Sequence, residues 1–158
     1  MAKYPKGSEW RIWDLHIHTP GTAKNDQYGN DEAAWEAYIA KLEENTDVAV
    51  LGITDYFSIE NYLFLKQKQA MGRLLGKTIL PNVELRITPV TRQETPINIH
   101  VIFNPELSID LIEREFIGCL KFSYGGSEYS FTRRDLIALG KAFRNDNSLD
   151  DESARKVG

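Results

Sequence analysis

The stretch "DVAVLGITDYF", residues 47–57, constrains the fold more than any other part of the chain. It is apolar almost without interruption and ends on a polar pair, Asp55 and Tyr56. Successive side chains of a strand point to opposite faces, so a strand apolar at every position must be covered on both. Such strands belong to parallel sheets flanked by helices. The flanking sequence supplies the helices. Asn30 stands as an N-cap before "DEAAWEAYIAKLEENT" (31–46), where Ala34, Tyr38 or Ile39 and Leu42 recur at helical spacing. Ser58 can cap "IENYLFLKQKQAMGRLLG" (59–76), which Gly76 closes. Before and after them lie "WRIWDLHIH" (10–18), "KTILPNVELRI" (77–87) and "INIHVIFNP" (97–105), read as further strands. Strand, helix, strand, helix, strand predicts a parallel α/β unit with right-handed crossovers.

Beyond that unit the pattern is shorter. The link "TPVTRQET" between the third and fourth strands is polar and holds no convincing helix. "SIDLIEREFIGCL" is amphipathic and helical after Ser108, "KFSYGGSEYSF" is a hairpin about Gly125–Gly126, and Thr132 with Asp135 opens the helix "TRRDLIALGKAF". The final "SLDDESARKVG" opens like a helix and stops. Residues 1–9 read as an arm.

The chemistry gathers at the predicted C-terminal ends of the strands, the edge that carries active sites in barrels and open α/β sheets. The first strand places Asp14, His16 and His18 at alternate positions, hence on one face. The second ends at Asp55 and Tyr56, the third carries Glu84, and the fourth carries His100. Each has a bland reading: a structural histidine, a helix-capping Asp55, an exposed Glu84, a core His100. All three histidines of the chain with several carboxylates at one edge favour a shared role. Mixed imidazole and carboxylate donors suit zinc, manganese or iron.

Composition narrows the class without naming it. The chain has 158 residues, 42% hydrophobic and 27% charged, enough for one domain with a real core. A formal net charge of -4 gives no general attraction to nucleic acid, though a local basic patch remains open. The single cysteine, Cys119, has no partner for an internal disulfide and reads as packing. No apolar run approaches a membrane span and the start lacks a secretory core, so a cytoplasmic location without membrane contact is expected. No GxxxxGK[ST] loop is present, so ATPase activity would reside elsewhere.

"DLHIHT", "ITDY", "NVEL" and "NIHVIF" occur in the order and at about the spacing of the PHP (polymerase and histidinol phosphatase) domain. The longer "GSEWRIWDLHIHTPGT" most resembles the PHP domains fused ahead of SMC-like or AAA-like ATPases in the TrlF-type anti-phage proteins. The resemblance spans about Trp10 to Pro105. It implies a distorted seven-stranded β/α barrel holding two or three divalent metals for phosphoester hydrolysis. By position, His16 and His18 match the first-motif ligands, Glu84 the bridging carboxylate and His100 a third-motif histidine. Asp14 and Asp55 match acidic positions where orienting or proton-handling roles fit. The expected fold is therefore α/β, a partial barrel of PHP type with parallel strands and its active edge at their C-termini. Residues 10–158 would form one domain cut short at its C-terminus, the N-terminal part of a longer protein. The implied partners are an ATPase domain or subunit and a nucleic acid or nucleotide substrate, in an oligomeric full assembly.

Two departures bear on activity. Tyr56 stands where the second motif usually has a ligating histidine, and no histidine follows His100 to supply the late Asp-x-His. The competing reading is a degenerate, non-catalytic PHP module that scaffolds or regulates an ATPase, and a third is a small-molecule phosphatase acting alone. Arg86, Arg133 and Arg134 are candidate phosphate clamps among surface arginines, and Lys24 and Asn25 lie in a long first loop. Trp35, Tyr38, Tyr62 and Phe64 read as core rather than stacking platforms.

Overall fold

The apolar run forms β2 (Val48–Tyr56), with seven of its nine residues buried, at the centre of a four-stranded sheet. The structure is a computed structural model that describes residues 10–22, 29–87 and 96–157; the expected arm, Lys24 and Asn25, and the 88–95 link lie outside the described residues. The other strands are β1 (Ile12–His18), β3 (Thr78–Ile87) and β4 (Ile97–Ile102), in sheet order β1-β2-β3-β4. Pairing is parallel between β1 and β2 and between β2 and β3. The sheet curls into a half-barrel.

Helices α1 (Glu32–Glu44) and α2 (Glu60–Ala70) cross over between the parallel strands. Trp35 and Ile39 of α1 and Tyr62 and Leu65 of α2 bury against Leu51, Ile53 and Ile79 on the convex face. Each such aliphatic side chain contributes about 1.5–3 kcal/mol on full burial. Asp31, rather than Asn30, caps α1 by accepting from the Ala34 amide at 2.8 Å, while Asn30 takes the Trp35 indole N–H. The second helix ends at Ala70, six residues before the expected Gly76. Glu43 on α1 explains the early stop: it accepts from the Leu74 amide at 2.7 Å and pairs with Arg73, drawing Leu74 fully into the core.

The fourth strand corrects the all-parallel expectation: β4 pairs with β3 antiparallel. A parallel return needs a crossover of a dozen or so residues. Only 88–96 separate the two strands, so the chain turns back directly. Beyond β4, α3 (Ile109–Glu115) is capped by Ser108 and followed by a 3-10 turn, Ile117–Cys119. A hairpin of β5 (Lys121–Tyr124) and β6 (Ser127–Ser130) comes next, with both glycines of its turn at positive φ. Thr132 caps α4 (Arg133–Arg144), as expected, and α5 (Asp151–Val157) packs on α4. Ile59, Val83, Ile112 and Ile117 form a second core that fixes this half of the molecule to the sheet.

Candidate metal centre

The register decides what meets on the concave face. His18 lies beside Thr54, Thr54 beside Asn82, Tyr56 beside Glu84, and Glu84 beside His100. Alternation then puts Asn82, Glu84 and Arg86 of β3 on one face with Asn98 and His100 of β4. The reversal of β4 does not separate His100 from Glu84, because paired residues of antiparallel strands share a face.

A bulge in β1 aims the first-strand histidines. Between Asp14 and Ile17 the register slips, so Leu15 and His16 oppose Gly52 alone. A Cβ on Gly52 would stand 2.3 Å from the Leu15 carbonyl oxygen, so only glycine admits this close approach. The Leu15 carbonyl at the bulge accepts from the Asn82 amide at 2.7 Å and the Thr54 hydroxyl at 3.3 Å.

His16 Nε2, His18 Nε2 and Glu84 Oε2 form a triangle with sides of 3.0, 3.3 and 3.4 Å. Donors about 2.1 Å from one ion at the tetrahedral angle stand about 3.4 Å apart. The three atoms thus already have the spacing of ligands to a common cation, and the cluster could hold a metal ion. Glu84 has no exposed surface, and its Oε2 has no hydrogen-bond partner. An unpaired buried carboxylate oxygen is costly, and a cation between it and the imidazoles would satisfy it. Asn98 Nδ2 donates to the other oxygen, Oε1, at 2.5 Å and fixes the carboxylate's rotation. Burial lowers the His18 pKa against the opposing charge of Glu84, which favours the neutral imidazole a metal requires. His16 is half-exposed, leaving one side of the triangle open.

The remaining predicted residues fall at different distances from this centre. His100 is adjacent: its ring lies 4.3 Å from that of His16, and its Nδ1 contacts Asn82 Nδ2 at 3.2 Å. The Asp14 carboxylate accepts from the His16 backbone amide at 3.3 Å and lines a groove of about 590 Å3 that runs past His16 and His18 toward Lys41. Asp55 points to the opposite face, where the Thr19 hydroxyl donates to it at 2.7 Å. Burial, partly offset by hydrogen bonds from Thr19 and Asn61, pushes its carboxyl up to about 6. Tyr56 stacks on His18 with centroids 5.0 Å apart. Burial and the Glu84 charge raise its pKa, so the phenol stays neutral. Asn82 and Asn98, which organise the centre, carry no metal-binding signal of their own. Their alternation with Glu84 and His100 along β3 and β4 is the pattern that marks them. No protein-family profile, curated protein or solved structure matches this chain.

Proposed function

We propose that this chain is a metal-dependent phosphoester hydrolase or nuclease domain of PHP type. One observation carries the reading: two imidazole nitrogens and an orphaned buried carboxylate oxygen converge at ligand spacing on the concave face of a curled α/β sheet. His16, His18 and Glu84 would hold the ion, with His100 at its rim, and zinc, manganese or iron fits the donors. Such an ion brings a water whose pKa falls toward about 7 and neutralises phosphate oxygens. Asn98 holds Glu84 in place, and Asp14, for which the resemblance suggests proton handling, would act from the wall of the groove beside His16 and His18 rather than from the face that carries them. The family resemblance extends the proposal to an ATPase partner, a nucleic acid or nucleotide substrate, a role in anti-phage defence, and a cytoplasmic, oligomeric setting. No helix among the described residues is long and apolar enough to cross a membrane.

Metal content of protein purified without chelator, measured by elemental mass spectrometry, tests the reading together with hydrolysis of a chromogenic phosphodiester. We expect at least one equivalent of metal, lost in the His16→Ala, His18→Ala double variant, and metal-dependent turnover. Folded protein that takes up no metal even on reloading would refute it. Tyr56 favours a second reading, since a neutral phenol stands where a ligand is expected. Folded protein that holds no metal, or an incomplete set, and shows no turnover would select that degenerate, scaffolding module.

A further inference from the structure

Arg86 lies two residues beyond Glu84 on the same face of β3, at the rim of the histidine and carboxylate cluster. Its Nε donates to Asn98 Oδ1 at 3.1 Å, while the Nδ2 of the same amide donates to Glu84 Oε1 at 2.5 Å. One side chain therefore orients both the candidate metal ligand and the guanidinium. The guanidinium carbon lies 5.9 Å from the centroid of the Tyr56 ring, whose own ring stacks on His18. Arg86 is thus braced by an amide on Nε and an aromatic face beneath. Both contacts leave its outer N–H groups unused among the described residues.

The other cations nearby are committed. Arg133 and Arg155 both pair with Glu60 and with Glu152. Lys41 pairs with Glu44. Among the described residues no carboxylate pairs with Arg86, although it stands in a site whose ligand set includes a buried carboxylate. A cation held at a fixed angle without an acidic partner is an anion receptor in waiting. The planar fork of a guanidinium matches two oxygens of a tetrahedral oxyanion, which a lysine ammonium does not.

We infer that Arg86, positioned by Asn98, anchors the phosphoryl oxyanion of the substrate beside the metal centre. The inference rests on the metal-dependent reading above and adds to it the residue that recognises the anion. It also makes Asn98 a positioning residue acting on Glu84 and Arg86 together.

The test is binding of inorganic phosphate by titration calorimetry to the full chain, in chelator and after metal loading. Wild type is compared with Arg86→Ala, Arg86→Lys and Asn98→Ala, with metal content and far-ultraviolet circular dichroism recorded for each. Arg86→Ala should keep wild-type metal content and fold yet lose about tenfold or more in phosphate affinity, the effect of one charged hydrogen-bonded contact. Arg86→Lys should recover little of it. Asn98→Ala should weaken both metal and phosphate. Phosphate binding that is indifferent to Arg86→Ala overturns the anchor while leaving the metal centre standing. Phosphate binding that needs Arg86 in chelator and is unchanged by metal supports the anchor and counts against the metal reading. No phosphate binding by wild type in either condition overturns the anchor.

Discussion

Two buried carboxylates, Glu84 and Asp55, sit on neighbouring strands and face opposite ways, and their surroundings assign them different work. Glu84 looks into the concave face with Oε2 aimed at two imidazoles. Asp55 looks toward the helices, takes the Thr19 hydroxyl, and leaves Oδ2 without a partner. Its pKa of about 6 stands above the ordinary aspartate value. A carboxyl whose pKa is higher folded than unfolded binds its proton more tightly in the native state. It therefore stabilises the fold at acid pH, and that stabilisation is lost as pH rises through about 6. Asn at this position keeps the accepting oxygen without the charge. The stability of Asp55→Asn relative to wild type should accordingly improve by on the order of 2 kcal/mol between pH 4.5 and pH 7.5. Urea denaturation at the two pH values measures this, and a difference that does not change with pH would show that Asp55 is not destabilised by its charge. The matched sequence position of Asp55 gave no hint of this orientation. Alternation alone separates it from Tyr56 and Glu84, because adjacent residues of a strand face opposite sides.

At the scale of elements, the alternating reading of β1 is right for His16 and His18 and fails for Asp14. The bulge at Leu15–His16 inserts a residue between them and the start of the strand. Nothing in "WDLHIH" announces a bulge. Its cause lies on the next strand, in Gly52, which a sequence reader sees only as a small residue in an apolar run. The reversal of β4 went against the parallel expectation, although the short polar link, with no room for a crossover helix, already carried its cause. The crossovers around β2 were legible, because an apolar run of that length has few other solutions. The Gly52 contact gives a direct test. Gly52→Ala drives a methyl into the Leu15 carbonyl, which has no flexible side chain to yield. The variant should lose at least about 2 kcal/mol of stability. It should also bind metal more weakly than the destabilisation alone explains, because the bulge aims His16. Thermal melts with and without metal separate the two effects: a Gly52→Ala protein that gains as much stability from metal as wild type would disconnect the bulge from the site.

At the scale of the whole molecule, the four-stranded sheet is a half-barrel whose two edges, β1 and β4, are each hydrogen-bonded on one side only among the described residues. Natural proteins protect such edges with charge, bulges or a covering segment. Here β1 does carry a bulge, yet the edge region beside it exposes Trp10 fully, and β1 itself exposes Ile12 at 57% and Trp13 at 60%; Ile99 and Ile102 on β4 are each 40% exposed. Open ladder groups flanked by large apolar side chains form a template for another strand, and the concave face with its histidines lies between the two templates. The isolated chain should therefore self-associate as its concentration rises. Trp13→Lys with Ile99→Lys places a charge on each edge and touches neither His16, His18 nor Glu84. Sedimentation velocity across a concentration series should show association in wild type and a shift to monomer in the double variant, with metal content unchanged. A wild-type chain that stays a single sharp monomer and unfolds cooperatively would mean that these edges are closed within the chain itself. If instead the double variant became monomeric and lost its metal together, the centre would depend on a second strand lying across its mouth.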